Sequence, residues 1–385
     1  MNLIYLSPNF PPNYYQFSIG LMDLGVNVLG IGDAPYEQLS NELKYALTEY
    51  YKVDSLESYD QLLRAVAFFT HKYGKIDRIC SLNEYWLEKE ATLRTDFNIP
   101  GLKTDEIHTI KCKSKMKEKF REAGINVAEG KIIHSMAQAK ALIKKVGYPV
   151  IAKPDNGVGA ANTFKINDEE ELEDFFEHKG SNEYIMEEYI DGDLYSFDGL
   201  TNKEGKVVFY TSHLFNTGVM QSVNQGHNFY YYSLREIPKD LEEAGFNAVK
   251  AFNSKESFFH IEFFRRKKDK KIVALEVNMR PPGGLTTDMF NFANDINIYQ
   301  EWANIIVNNK FTASYYRKYH CCYIGRKYIN KYTHSRDDIM AKYREFIVTE
   351  AIMPDVVSAA IGNYAFVARS QDLKKIQEIA TYILE

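Results

Sequence analysis

The chain has 385 residues, of which 45% are hydrophobic and 26% are charged, and its formal net charge at pH 7 is -5. This length and composition predict two or three soluble globular domains. The negative charge argues against non-specific binding to nucleic acid, which requires a basic surface. The sequence has no apolar run long enough to span a membrane, and its first residues lack the pattern of a secretory signal. We therefore expect a cytoplasmic protein.

The first part of the chain alternates between strand-like and helix-like patterns. The predicted strands are 2–7, 26–31 and 77–82, and the predicted helices are 14–24, 58–73 and 84–96. Such alternation predicts parallel strands with crossover helices, and hence a doubly wound α/β domain over residues 1–105. Ligands of such sheets bind at the carboxyl ends of strands, where Ser7 and Glu84 lie in the sequence. A substrate crevice and ordinary turns are both open interpretations of these two positions.

After residue 105 the predicted strands and helices no longer alternate as they do in a parallel α/β sheet. The predicted helices are 112–123, 135–146, 168–178, 239–252, 335–343 and 371–384. The predicted strands are 130–134, two within 149–166, 183–187, a pair within 193–217, 257–265, 271–279, 320–326 and 361–367. The tail beyond residue 312 is expected to be an α+β piece packed on the body.

The four cysteines are not spaced as a metal or redox motif. They are Cys80, Cys112, Cys321 and Cys322, with no pair separated by two residues. Since cysteine is among the most often buried residue types, we interpret them as small core residues rather than metal ligands.

Two lysines precede features that can bind phosphate. Lys153 ends an apolar strand just before the glycine-containing loop 156–161, whose backbone N–H groups can surround phosphate oxygens. Lys113 begins a predicted helix, and a helix N-terminus with a lysine can bind an anion. Each feature alone is more typical of a turn or a solvated lysine, so the hypothesis depends on their combination.

Two groups of acids follow predicted strands. Glu187 ends one strand before the turn at Asp191, where carboxylates can accept hydrogen bonds from an adenine amino group or ribose hydroxyls, or form a simple strand end. In the later hairpin, alternation places Glu276, Asn278 and Arg280 on one face, which Glu262 on the partner strand can join. The members of this set are a pair of carboxylates, an amide and an arginine. Such oxygens suit Mg²⁺, and an arginine can stabilise developing negative charge.

The order of these elements resembles the ATP-grasp superfamily, of the carboxylate–amine ligase type that includes L-amino-acid ligases, biotin carboxylase and the large subunit of carbamoyl phosphate synthetase. The resemblance implies two α+β ATP-grasp subdomains after the N-terminal domain. The implied ranges are 1–105 for the N-terminal domain, 106–190 for the lid subdomain, 191–311 for the catalytic subdomain and 312–385 for a small α+β extension.

The resemblance also implies roles for individual residues. The ATP-binding residues would be Lys113, Lys153, Gly157, Gly159, Asn162, Glu187, Glu188, Tyr189, Ile190 and Asp193. The Mg²⁺ ligands would be Glu262, Glu276 and Asn278, with Mn²⁺ as an alternative metal, and the catalytic residue would be Arg280. The chain departs from the family pattern where Cys112 replaces a common Asp, where the loop ending at Asn162 lacks a hydroxyl, and where Leu194 stands at the ribose-binding Glu.

By this resemblance, the protein is expected to activate a small carboxylate, such as an amino acid, as an acyl phosphate and to join it to an amine or ammonia. A kinase on the same scaffold and a non-catalytic ATP-binding protein are the alternatives, and a homodimer is left open. The stretch 210–232 could line the substrate pocket with His213, Asn216, Gln221 and His227, or simply form polar strands and a loop. The basic run 265–268 is interpreted as a solvated hairpin tip.

Overall fold

The computed structural model describes residues 1–157, 162–216, 218 and 228–385. Its N-terminal part is a four-stranded parallel sheet in the order β3-β2-β1-β4. The strands are β1 (Asn2–Leu6), β2 (Asn27–Gly32), β3 (Glu49–Lys52) and β4 (Arg78–Cys80). The helices are α1 (Tyr15–Asp23), α2 (Asn41–Ala46), α3 (Tyr59–Tyr73) and α4 (Leu87–Asp96). The predicted parallel-sheet domain is thereby confirmed.

A second sheet, antiparallel throughout, has the strand order β5-β8-β6-β7. Its strands are β5 (Gly130–Ile133), β6 (Val150–Pro154), β7 (Phe164–Ile166) and β8 (Tyr184–Glu188). The helices α5 (Lys113–Glu122), α6 (Met136–Val146) and α7 (Glu169–His178) belong to the same stretch. A glycine at position 130 is required because a Cβ there would lie 2.6 Å from Cβ of Glu187. This absence of a side chain lets β5 pack closely beside Glu187.

The third sheet has eight antiparallel strands in the order β13-β12-β9-β10-β11-β14-β16-β15. They are β9 (Gly192–Thr201), β10 (Val207–Phe215), β11 (Phe229–Ser233), β12 (Phe258–Arg266), β13 (Ile272–Asn278), β14 (His320–Arg326), β15 (Ile347–Ile352) and β16 (Tyr364–Ser370). The helices are α8 (Lys239–Ala251), α9 (Thr286–Asn294), α10 (Ile298–Asn308), α11 (Arg336–Tyr343), α12 (Asp355–Ile361) and α13 (Leu373–Leu384).

The strands after residue 312 continue this large sheet, since β14 pairs with β11 through Tyr232 and Cys322. The C-terminal residues therefore share a sheet with the strands that carry the predicted metal ligands. The mixed α/β and α+β architecture confirms the predicted fold class, while the four domain ranges stay predictions. Cys80, Cys321 and Cys322 are buried, as expected for core residues, whereas Cys112 is only partly buried and does not belong to the core.

One apolar core joins the N-terminal sheet to the large sheet. Tyr5 of β1 and Phe17 of α1 pack in it with Phe258 of β12 and Trp302 of α10, all of them buried. Phe17 contacts Trp302 edge-to-face with ring centroids 5.2 Å apart. This core fixes the N-terminal domain against the face of the large sheet. Among the described residues, none of the helices has the length and apolar character needed to cross a membrane.

Candidate active site

A cleft of about 540 Å³ lies where the antiparallel sheets meet the N-terminal domain. The N-terminal domain contributes Glu84, and the smaller antiparallel sheet contributes Lys153 and Glu187. The hairpin of β12 and β13 contributes Glu262 and Glu276. Charged groups from three separate parts of the fold therefore face one concave surface, which is the usual form of a small-molecule site.

The hairpin places its acids directly opposite each other. Glu262 pairs with Glu276 across the two strands, and His260 pairs with Asn278. Burial raises the pKa of Glu276, and the charge of Glu262 raises it further. Two partly buried carboxylates that repel each other in this way provide a favourable position for a cation.

Asn278 and Arg280 extend this row towards the N-terminal domain. Asn278 donates its amide N–H to Glu84 Oε2 over 2.9 Å in the orientation that suits its neighbours. Its other terminal atom then lies 3.4 Å from Glu276 Oε1, so that an amide oxygen and a carboxylate oxygen are adjacent. Arg280 Nη2 donates to Glu84 Oε2 over 2.8 Å. The Glu84 carboxylate therefore orients both residues.

The two lysines approach the cleft from the start of α5 and from β6. Asp155, just after β6, accepts hydrogen bonds from the Ser114 backbone N–H at 2.7 Å and from the Ser114 hydroxyl at 2.8 Å. This contact joins the first turn of α5 to the end of β6 and so brings Lys113 near Lys153. Lys113 Nζ donates to the carbonyl oxygen of Gly157 over 3.2 Å.

The electrostatic surroundings of these lysines differ. Burial lowers the pKa of Lys113, and although Glu276 opposes the shift, neighbouring Lys153 adds to it. Burial would also lower the pKa of Lys153, but Glu187 and Glu276 outweigh it, and the pKa is raised. Lys153 forms a buried ion pair with Glu187. At neutral pH Lys153 is therefore a fixed positive charge at the edge of the cleft.

Glu187 lies between two lysines. Its Oε2 is 2.5 Å from Lys117 Nζ, and Oε1 pairs with Lys153. Burial would raise the pKa of Glu187, but the two lysines outweigh burial and lower the pKa to about 2. The carboxylate is therefore ionised in this buried triad, and it holds the Lys153 side chain beside the cleft.

Part of this chain is similar to a known protein family. Residues 110–284 match the family model of the ATP-grasp domain. These residues belong to the ATP-grasp family. The match includes both lysines, Glu187, the acids of the hairpin and Arg280, but not the C-terminal strands of the large sheet.

Individual relatives of this chain are distant. The L-arginine-specific L-amino acid ligase of Bacillus subtilis is 25% identical over 245 residues, which cover 61% of this chain and 59% of that protein. The chain thus spans less than two thirds of the length of the curated relatives that it matches.

Two solved structures resemble nearly the whole fold. L-amino acid ligase from Bacillus licheniformis has a TM-score of 0.76 at 16% identity, covering 99% of this chain and 96% of that one. The N5-carboxyaminoimidazole synthetase from Staphylococcus aureus, complexed with ADP, has a TM-score of 0.76 at 15% identity, covering 100% and 97%. At these identities the likeness concerns the fold alone, and it extends over the C-terminal strands as well.

The structure brings most of the predicted ATP-grasp site residues to the same cleft. Those that line it are Lys113, Lys153, Glu187, Glu188, Tyr189, Ile190, Asp193, Glu262, Glu276, Asn278 and Arg280. Gly157 and Asn162 line an adjoining cavity of about 410 Å³ that also contains Lys113 and Lys153. Gly159, Gln221 and His227 lie outside the described residues.

Two parts of the site escaped the sequence analysis. Lys117 was not singled out but is 1% exposed; its position one turn after Lys113 on the buried face of α5 could have indicated this. Asp198 was not singled out, although it lies two residues after Ser196 and so shares one strand face with it. Asp198 lines the cleft, and Lys117 contacts Glu187, which lines it.

Asp198 is the centre of a buried hydrogen-bonded network. Its carboxylate lies 2.8 Å from His213 Nδ1 and 2.5 Å from His260 Nδ1, and Ser196 Oγ donates to it over 2.5 Å. His260 Nε2 is 3.2 Å from Glu262 Oε1. Burial would raise the pKa of Asp198, but the two histidines lower it, while this acid and Glu262 raise the pKa of His260 to about 9 against the effect of burial.

The donors of the hairpin fit a hard divalent cation that completes its coordination with phosphate and water. Within the described ranges, no three His, Cys, Asp or Glu side chains are grouped to hold a metal ion by themselves. The predicted set has two carboxylates and one amide, and Mg²⁺ characteristically takes few protein ligands and completes its shell with phosphates and waters. The mutual repulsion of Glu262 and Glu276 is the feature that a cation would relieve.

Proposed function

We propose that this protein is an ATP- and Mg²⁺-dependent ligase that joins a small carboxylate, such as an amino acid, to an amine or ammonia. The observation that carries the proposal is the convergence of Lys113, Lys153, the acid pair Glu262 and Glu276, and Arg280 on one cleft. A site that combines phosphate-binding cations, a cation position and an arginine suits phosphoryl transfer, in which positioning and charge stabilisation dominate.

ATP would bind between the smaller antiparallel sheet and the large sheet. Lys113 and Lys153 would contact its phosphates, together with Gly157, Gly159 and Asn162. The adenine and ribose would contact the end of β8, the start of β9 and the residues between them. The proposed binding residues there are Glu187, Glu188, Tyr189, Ile190 and Asp193. Ile190 is buried and Asp193 exposed, so this segment can offer an apolar surface to the base and an acceptor to the sugar hydroxyls.

Glu262, Glu276 and Asn278 would hold Mg²⁺, which supplies charge neutralisation at the phosphates. His260 would help to fix the position of Glu262 through the hydrogen bond between His260 Nε2 and Glu262 Oε1. Glu84 in turn fixes Asn278 and Arg280. The remaining steps depend on the chain's own residues.

The reaction would proceed in two displacements. A carboxylate oxygen attacks the γ-phosphorus of ATP, the bond to the β–γ bridging oxygen breaks, and ADP leaves with that electron pair. The amine nitrogen then attacks the acyl carbon, inorganic phosphate leaves, and the amine loses a proton to give the amide. Arg280 would stabilise the negative charge of the phosphoryl group and of the tetrahedral intermediate.

The direct test is phosphate release from Mg·ATP in the presence of single amino acids and small carboxylates, with and without hydroxylamine. The proposal expects ADP and phosphate formation that depends on a carboxylate, and a hydroxamate when hydroxylamine replaces the amine. Phosphorylated product without hydroxamate would identify a kinase. ATP binding without turnover for any carboxylate would identify a non-catalytic ATP-binding protein.

A further inference from the structure

The short C-terminal helix α12 forms one wall of the cleft. Its residues Val357, Ala360 and Ile361 line the cleft, and their spacing places them on one helix face. The adjacent Val356 is 76% exposed. Ile361 Cδ1 lies 3.2 Å from the position that a Cβ on Gly284 would take. This part of α12 therefore packs against the turn that follows Arg280.

Aromatic rings form the neighbouring surface. Phe215 and Tyr231 both line the cleft, and their rings stack with centroids 4.9 Å apart. The Tyr231 hydroxyl is 2.7 Å from Thr286 Oγ1, so its polar atom is already hydrogen-bonded within the protein. The surface that Tyr231 offers to the cleft is therefore its ring. Together with α12, these rings make this end of the cleft apolar.

His213 is a polar group beside this apolar surface. Its ring centroid is 5.7 Å from that of Tyr231, and the residue is 1% exposed. Nδ1 lies beside the Asp198 carboxylate, which can only accept, so Nδ1 carries a hydrogen, and the tautomer that fits this contact has its lone pair on Nε2. In the described part of the chain, Nε2 is buried without a hydrogen-bond partner. A buried acceptor of this kind is unfavourable unless a ligand N–H group satisfies it.

We propose that this end of the cleft binds an amino acid with an apolar side chain. The side chain would pack between the face of Val357, Ala360 and Ile361 and the ring of Phe215, and an N–H of the amino group would donate to His213 Nε2. An apolar surface with a single placed polar atom is the usual composition of such a pocket. A charged side chain would lose its hydration against this surface without gaining a partner. This assignment rests on the proposed ligase and specifies its substrate class.

The test compares two adjacent residues of α12. Val357→Thr and Val357→Asn change the proposed wall, whereas Val356→Thr and Val356→Asn make the same changes on the exposed face. For each variant, kcat/KM for Mg·ATP-dependent phosphate release is measured with L-leucine, glycine and L-aspartate. Binding of the same amino acids is measured by calorimetry in the presence of Mg·ADP. Circular dichroism checks that each variant is folded. If the Asn variant does not fold, the nearly isosteric Thr variant is used in its place.

The wild type is expected to prefer L-leucine to glycine by about tenfold or more in kcat/KM and in binding. Val357→Asn should reduce that preference about tenfold, mainly through KM, and the Val356 variants should keep it. Equal binding of L-leucine and glycine by the wild type would overturn the assignment, as would equal losses for both amino acids in the Val357 variants. Selective L-leucine binding without any phosphate release would instead support the subsite and contradict the ligase.

Discussion

Arg280 and Glu84 connect the end of the β12–β13 hairpin to the N-terminal domain. Arg280 Nη2 lies 2.8 Å from Glu84 Oε2, and the two side chains are only 18% and 11% exposed. Burial would raise the pKa of Glu84, but Arg280 outweighs it and the pKa is lowered. The carboxylate is therefore ionised and fixes the direction of the guanidinium. A residue of the first domain thus becomes part of the proposed active site.

Arg280→Ala should lower kcat for ligation by about 10²–10³-fold, because it removes a donor that acts on the charge developed in the transition state. The affinity for ATP should stay near that of the wild type, since the lysines and the hairpin acids remain. Phosphate release and nucleotide binding measure the two effects separately. Arg64→Ala, which changes an exposed arginine paired with Asp60, is the control. Unchanged ligation in the Arg280 variant would remove this residue from the mechanism.

The acid pair predicts how Mg²⁺ affects stability as pH changes. The pKa of Glu276 is raised above its ordinary value of 4.5 by burial and by Glu262. The folded protein therefore binds the Glu276 carboxyl proton more tightly than the unfolded chain does. The stability gained from this protonation is lost as pH rises through the raised pKa. A cation compensates the ionised pair, so Mg·ADP should raise Tm more at about pH 8 than at about pH 5.

Glu276→Gln is the matching variant for this measurement. It removes the repulsion with Glu262 without changing the size of the side chain, so the nucleotide-free protein should not lose stability. In the wild type, Tm should be higher with Mg·ADP than with ADP alone. In the Glu276→Gln variant this difference should be reduced or absent at both pH values. A difference in this variant as large as in the wild type would show that the metal binds elsewhere.

The buried triad around Glu187 should be important for folding. Lys117→Met removes one of its two cationic partners, and breaking a buried ion pair costs about 3–5 kcal/mol in free energy of unfolding. Urea denaturation measures the loss. Lys115→Met on the same helix is the control, because that side chain is 48% exposed. Equal losses in the two variants would mean that the ion pair with Glu187 contributes no more to the free energy of unfolding than an exposed lysine does.

The same triad predicts the response to acid. The pKa of Glu187 is lowered to about 2, so its contribution to stability is present above the ordinary value of 4.5 and is lost as pH falls towards 2. Lys117→Met should therefore reduce the difference in the free energy of unfolding between neutral and acidic pH. An identical pH profile for wild type and variant would contradict this assignment.

The network around Asp198 predicts a loss of stability at alkaline pH. The pKa of His260 is raised from 6.5 to about 9, so its contribution is fully present below 6.5 and disappears as pH rises through about 9. Asp198→Asn should lower the free energy of unfolding by about 3–5 kcal/mol near neutral pH and weaken this alkaline dependence. Denaturation curves across this range test both effects. Asp60→Asn, at an exposed ion pair, should change neither.

The cysteines provide a simple probe of the nucleotide site. Cys112 is partly exposed and precedes Lys113, whereas Cys80, Cys321 and Cys322 are buried. Burial raises the pKa of all four thiols, Cys112 included, so access of the reagent decides which thiol reacts first. A thiol reagent should modify Cys112 first in the native protein, and Mg·ATP should slow this reaction. Equal labelling of all four thiols without denaturant would contradict the described packing.

The sequence alone determined the features that depend on local periodicity. Alternation along β13 predicted that Glu276 and Asn278 share a face with Glu262 opposite Glu276, and the strand register confirms that pairing. Arg280 follows the strand and lines the same cleft. The parallel N-terminal sheet followed from the alternation of strands and helices. Such features can be predicted from the sequence because residues two apart on a strand, or three and four apart on a helix, share a face.

Only the tertiary structure decided the contacts between distant segments. Lys117 is buried because Glu187 of another strand reaches it, and Asp198 acquires two histidines because β9 lies between β10 and β12. The C-terminal strands join the large sheet, and that pairing carries α12 to the cleft, where Val357 is far in sequence from Arg280. Pairing between strands depends on the packing of the whole chain, which no local pattern records.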